Sequence, residues 1–198
     1  MAVNLSKGEH VNLTKSVPYL SKVTVGLGWD MAAKGYSIDC DSSVFLLRNA
    51  KSRLFGKETS PKLVNGGDII YFGHKHHDSG CVIHHGDNLT GEGGGDDEQI
   101  SIDLAHMPAD IKSVIVAINI YDCVHRRQHF GMIRNCYARI VDDNTHKEIC
   151  RYNLTNNYAD RTAVIIGELS RTDDGWEFKA VGEGSNADSI DALARKYR

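Results

Sequence analysis

The sequence is short of proline: three occur in 198 residues. Each sits at a boundary between apolar runs, so none interrupts a strand ladder. No apolar run approaches the roughly 20 residues that a membrane-spanning helix needs. The segment Met1-Ala2-Val3-Asn4-Leu5-Ser6-Lys7-Gly8 has no basic start followed by an apolar stretch, so no secretory signal is expected there. There is no C-x-x-C pair. The five cysteines (Cys40, Cys81, Cys123, Cys136 and Cys150) are scattered and odd in number, which fits reduced thiols acting as small core residues in a cytosolic protein. Positive charge is not in excess. The net charge of −3 gives no electrostatic reason to expect a nucleic acid partner. The alternation of strand and helix that marks a doubly wound sheet is also missing.

What is present is a series of short β-type runs bounded by turn residues. Lys22–Leu27, Ser43–Leu47, Asp68–Phe72, Ile100–Leu104 and Val114–Tyr121 read as strands, followed by Tyr137–Val141, Ile149–Leu154, Ala163–Leu169 and Glu177–Val181. Val114–Tyr121 is the longest apolar run and is expected at a sheet centre. Thr172-Asp173-Asp174-Gly175 reads as the turn of the last hairpin. Ala187–Tyr197 has early acids, late bases and an apolar face, the pattern of a C-terminal helix. Lys51–Lys62 reads as a polar loop. The expected architecture is an all-β antiparallel sandwich over residues 1–184 with a short helical tail over 185–198.

The segment Gly86–Glu98 stands apart. It holds five carboxylates, five glycines and no Lys, Arg or His. Two like charges about 5 Å apart at an effective dielectric near 20 repel by roughly 3 kcal/mol. A compact loop of this composition calls for a counter-ion. Carboxylates with backbone and Asn carbonyls form the oxygen set of calcium, whereas softer metals call for His or Cys. A solvated acidic loop is the competing reading. The charge has the wrong sign for a phosphate cradle, and the spacing of acids is not that of an EF-hand. A second acidic cluster, Asp39-Cys40-Asp41, precedes a strand, and carboxylates at i and i+2 face one side of an extended segment.

The ten histidines invite two further readings. His74, His76, His77, Cys81, His84 and His85 flank a turn at Asp78-Ser79-Gly80, either as a polar hairpin tip or as a soft-metal site. Cys81 with His84 or His85 makes a conceivable nucleophile pair, at a spacing that is no known catalytic signature. His125, Arg126, Arg127 and His129 form a basic loop.

Taken together, several motifs resemble the TerD family of tellurium-resistance and stress-response domains. They are Leu5-Ser6-Lys7-Gly8 with Asn12-Leu13-Thr14-Lys15, then Gly26-Leu27-Gly28-Trp29-Asp30, then Asp39-Cys40-Asp41-Ser42-Ser43. The most specific are His84-His85-Gly86-Asp87-Asn88-Leu89-Thr90-Gly91 and Gly95-Asp96-Asp97-Glu98. Phe130-Gly131, Arg134-Asn135 and Gly167-Glu168-Leu169 through Trp176 to Gly182 complete the resemblance, which covers about residues 1–184. It implies a β-sandwich binding calcium between the D-x-D segment and the acidic loop. The oxygen donors expected are Asp39, Asp41, Asp87, Asn88, Gly91, Gly93, Gly95, Asp96, Asp97 and Glu98. It also implies a cytosolic stress protein associated with other Ter proteins, some at the inner membrane, and no established enzymatic activity. Three positions depart from the family pattern: Gly94 replaces a usual Asp, Cys40 and Ser43 replace Leu and Ala, and Gly73 replaces Asn. The first removes one potential ligand. Besides a calcium-binding interaction module, a metal-dependent hydrolase and a purely structural assembly role remain open on sequence alone.

Overall fold

The computed structural model describes residues 2–31, 37–49, 60–86, 95–154 and 158–198. The strands are β1 (Val3–Leu5), β2 (His10–Asn12), β3 (Lys22–Met31), β4 (Cys40–Arg48), β5 (Ile69–Tyr71), β6 (Val82–His84), β7 (Glu98–Asp103), β8 (Ile111–Ile120), β9 (Ile133–Asp142), β10 (Lys147–Asn153), β11 (Ala163–Thr172) and β12 (Gly175–Ser185). They form two six-stranded sheets. The first runs β1-β10-β9-β3-β7-β6 and the second β2-β12-β11-β8-β4-β5. Pairing is antiparallel throughout except between β1 and β10, which run parallel. The expected antiparallel sandwich is therefore observed. No helix among the described residues is long and apolar enough to cross a membrane.

Strand periodicity sorts the side chains into two apolar clusters. Val23, Val25 and Leu27 of β3, Ile100 and Ile102 of β7, and Val44 and Leu46 of β4 fill the space between the sheets. Phe45 and Leu47 of β4, with Ile115 and Ala117 of β8, point to the opposite face of the second sheet. That outer face is covered by the C-terminal segment, whose Leu193 and Ala194 are buried in the same cluster. Burial on both faces explains why Val114–Ile118 is a continuous apolar run instead of an alternating one. β8 lies between β11 and β4, as expected for a central strand.

The C-terminal helix is shorter than its sequence pattern. It spans Ile190–Ala194, with Ser189 Oγ accepting the Ala192 amide as an N-cap, and tightens into a 3-10 turn over Arg195–Tyr197. Short helices at Leu13–Ser16 (α1) and Cys123–Arg126 (α2), and the three-residue strands β1, β2 and β6, carry no sequence period long enough to read. β3 runs on to Met31 because it pairs with both β7 and β9, past an irregularity between Gly28 and Asp30. Asp68 sits in a 3-10 turn rather than in β5. The last hairpin turns through Asp173-Asp174, with Thr172 opposite Gly175 at a φ of +115°.

Candidate functional site

The acidic segment leaves β6 through His84 and Gly86 and re-enters the first sheet at β7. Gly86 and Gly95, on either side of residues 87–94, have φ of +143° and +102°, a backbone region that favours glycine. Asp87, Asn88, Gly91 and Gly93 lie outside the described residues, and so does Gly94. Gly95, Asp96, Asp97 and Glu98, with Asp39 and Asp41, can be placed.

Glu98 points inward, on the same side of β7 as Ile100 and Ile102. It is 2% exposed. Its Oε2 accepts from the Ser42 amide of β4 at 2.6 Å, so the carboxylate bridges the two sheets at one end of the sandwich. Ser42 Oγ lies 3.0 Å from His84 Nε2, and Glu98 Oε2 lies 3.6 Å from the same nitrogen. His84 Nδ1 accepts from the Gly86 amide at 3.2 Å, which puts the ring proton on Nε2, facing Ser42 and Glu98. The other Glu98 oxygen, Oε1, is buried with no hydrogen-bond partner among the described residues. An unmet buried carboxylate oxygen is costly, and a cation is the partner that suits it best.

Asp97 accepts from the Trp29 amide at 2.8 Å and donates its own amide to the Leu27 carbonyl. Burial raises its carboxyl above the usual carboxylate range, and the neighbouring charges of Asp30, Asp96 and Glu98 add to that against the opposing Trp29 bond.

Asp96 is different. Its carboxylate lies on the outer face of the first sheet, against Gly26, where a side chain would collide with it. Arg139 of β9 grips it with both oxygens engaged, Nε to Oδ1 at 2.7 Å and Nη2 to Oδ2 at 3.0 Å. Gln99 Nε2 donates to Oδ2 at 3.0 Å, and the Tyr137 hydroxyl lies 3.1 Å from Oδ1 while donating to the Gly95 carbonyl at 2.7 Å. Asp41 faces the other way, on the outer face of the second sheet, where it accepts from Asn119 Nδ2 at 3.2 Å. Asp39 is 3.7 Å from Arg126 Nη1. The structure thus places Glu98 beside Ser42 and Asp97 on the Trp29 amide, and sends Asp96 and Asp41 to opposite outer surfaces. Arg139 and Asn119 were not legible as site residues. The one available signal was an arginine in mid-strand whose register partner, Gly26, offers no side chain.

The histidine-rich hairpin does not gather. Among the described residues, no three His, Cys, Asp or Glu side chains are grouped so as to hold a metal. His74 Nδ1 lies 2.8 Å from the Ile69 carbonyl, His77 is 2.7 Å from Ser79 Oγ and 3.1 Å from Asp68, and His85 is 2.7 Å from Ser101 Oγ. Cys81 is buried with Sγ donating to the His106 carbonyl at 3.0 Å, so it is not paired with His84 or His85 as a nucleophile. All five cysteines are buried and free of disulfides. Burial pushes the Cys136 and Cys150 thiols up to about 12 and raises Cys40 well above the usual thiol value, which disfavours reactive thiolates.

Comparison with known proteins gives the family of the chain. The stress response protein SCP2 of Bacillus subtilis (strain 168) is 44% identical over the whole of both chains. The tellurium resistance protein TerD of Serratia marcescens is 39% identical, covering 93% of this chain and 91% of its own. A crystal structure described as a homologue of telluride resistance protein from Streptomyces coelicolor A3(2) superposes with a TM-score of 0.67 at 20% identity, covering 86% of this chain and 94% of that one, and so shares the fold. The TerD domain family model matches residues 1–197, running through the tail helix. The chain belongs to the TerD domain family, whose named relatives are stress-response and tellurium-resistance proteins.

Proposed function

We infer that the protein is a calcium-binding stress-response module that works by interaction and not by catalysis. The observation that carries this reading is the Glu98 carboxylate, buried across the end of the sandwich with Oε1 lacking a partner among the described residues. Asp97 beside it is held above the usual range by burial and like charge, a condition that a bound cation relieves. These two residues fit a hard cation. Asp87 and Asn88 and the carbonyls of Gly91 and Gly93 would complete an oxygen set of the kind calcium takes. Asp96, neutralised by Arg139, fixes the end of the loop to the sheet in this reading, and Asp41 serves the opposite face.

Calcium bound here ties β7 to β4 and gives the acidic loop a role as a surface for a partner. The reading extends to a cytosolic protein that associates with other Ter-type proteins, including some at the inner face of the membrane. The test is a thermal melt in chelator against millimolar calcium. At a hundredfold excess over its Kd, a ligand that binds only the native state adds about 2.7 kcal/mol. A midpoint that stays fixed across that range of calcium would sink the reading.

A further inference from the structure

The turn at Asp78-Ser79-Gly80 carries three side chains in series, outside the acidic site. Ser79 is exposed. Its Oγ lies 2.7 Å from His77 Nδ1, and His77 Nε2 lies 3.1 Å from Asp68 Oδ1. His77 and Asp68 are buried, at 6% and 1% exposure. A hydroxyl, an imidazole and a carboxylate joined in this order form the arrangement that makes a serine nucleophilic.

A backbone bond fixes the tautomer. The Ser79 amide donates to His77 Nδ1 at 3.2 Å, and an amide N–H can only donate. Nδ1 therefore carries a lone pair, and the ring proton sits on Nε2, where it donates to Asp68. The Ser79 hydroxyl faces a nitrogen without a proton, so it donates to it, while its own oxygen accepts from the Cys81 amide at 3.2 Å. The same reasoning excludes Ser42. His84 has the opposite tautomer and turns its ring proton toward that hydroxyl. Behind Asp68, Arg48 donates from Nε to Oδ2 at 2.9 Å and from Nη2 to Oδ1 at 2.7 Å, and it is also paired with Asp110. Two carboxylates around one guanidinium leave a net negative charge, which favours an imidazolium at His77.

We propose that Ser79 is an acyl-acceptor site, with His77 as its base and Asp68 as the residue that positions the ring, for an activated acyl donor such as a thioester or an acyl phosphate. In the step, a bond forms between Ser79 Oγ and the carbonyl carbon, and the bond from that carbon to sulfur or to the phosphate oxygen breaks. The leaving group departs with the electron pair. The hydroxyl proton passes to His77 Nδ1, and from there to the departing thiolate or to solvent. A donor of this class brings its own good leaving group, so a positioned base is what the site has to supply. The product is an ester on the hairpin tip. It modifies the chain and leaves the interaction role as proposed.

The test incubates the full chain in chelator with S-acetyl-N-acetylcysteamine, a thioester, or with acetyl phosphate, and maps the acetylated residues by mass spectrometry. With at least one donor, Ser79 is acetylated about tenfold or more faster than Ser16, which is exposed and has no histidine bonded to its hydroxyl among the described residues. The faster donor identifies the leaving-group chemistry. Ser79→Ala removes the adduct, and His77→Gln slows it about a hundredfold. Because His77 is buried, two further measurements leave it in place. Iodoacetamide at neutral pH alkylates Ser79→Cys about tenfold or more faster than Ser16→Cys, since a histidine base raises the thiolate fraction. Nitrogen NMR of the His77 ring finds the proton on Nε2 in the parent, and Asp68→Asn moves the balance toward Nδ1. Acetylation of Ser79 no faster than that of Ser16 overturns the proposal. So does undiminished acetylation in His77→Gln, equal alkylation of the two cysteine variants, or a ring proton on Nδ1 in the parent.

Discussion

Asp96 and Glu98 stand two residues apart and meet opposite conditions. Asp96 lies on the outside of the first sheet, where Arg139, Gln99 and Tyr137 surround it. Glu98 lies between the sheets with one oxygen on the Ser42 amide and the other without a partner among the described residues. The difference teaches that acidic composition does not define a cation site. The counter-charge for one carboxylate is built into the sheet, and the counter-charge for the other is left to be supplied.

The largest expected effect comes from removing the built-in cation. Arg139→Met strands a buried carboxylate, and urea unfolding at neutral pH is expected to show a loss of about 3–5 kcal/mol whether or not calcium is added. Gly26→Ala attacks the same region by crowding. A Cβ there collides with the Asp96 carboxylate, and the expected loss is about 1–3 kcal/mol in the same assay.

Glu98→Gln sharpens the comparison from the other side. The amide oxygen can still accept from Ser42, and the neutral NH2 replaces an unmet charged oxygen. Stability in chelator is expected to stay within about 1 kcal/mol of the parent. The calcium-dependent rise in the melting midpoint should disappear. A variant that keeps that rise would remove Glu98 from the cation site.

The smallest effect is a change of slope with pH. The Asp97 carboxyl is raised in the folded state, chiefly by burial. Between its unfolded value of about 3.9 and its folded value the native state binds more protons, so in chelator this group makes stability fall as pH rises. Asp97→Asn should flatten that part of the profile. Asp68 contributes the opposite sign. Burial pushes its carboxyl up, but Arg48 and His77 outweigh this and hold it below the usual value, so its contribution is lost as pH falls through that depressed value. Urea titrations of parent and variant from about pH 4 to 7 separate the two, since only the Asp97 component changes in the variant.

Much of the fold was legible because strand period and turn chemistry are local. The long runs at Val114–Tyr121 and Ala163–Leu169 and the turn at Asp173-Asp174 all appear close to where the sequence put them. The site was legible only in part. Asp41 read as a companion of the acidic loop through the family resemblance, and the face it takes is not legible because the parity of β4 is ambiguous. Cys40, Val44 and Leu46 on one side and Phe45 and Leu47 on the other are all buried, so alternation cannot say which face looks between the sheets. Arg139 was hidden for another reason. Its pairing with Asp96 exists only once β9 and β7 are set on either side of β3, and no local pattern encodes that register.

The covered outer face of the second sheet also has a consequence for biosynthesis. Phe45, Ile115 and Ile165 pack under Leu193 and Ala194, which are translated after every strand they shelter. While the ribosome is still making β12, that apolar face is bare, and β1 has waited for β10 to pair with it. Such non-local closure is slow and leaves the nascent chain sticky. The demand on chaperones therefore falls late in synthesis, and a ribosome that stalls before residue 193 releases a sandwich with one face uncovered.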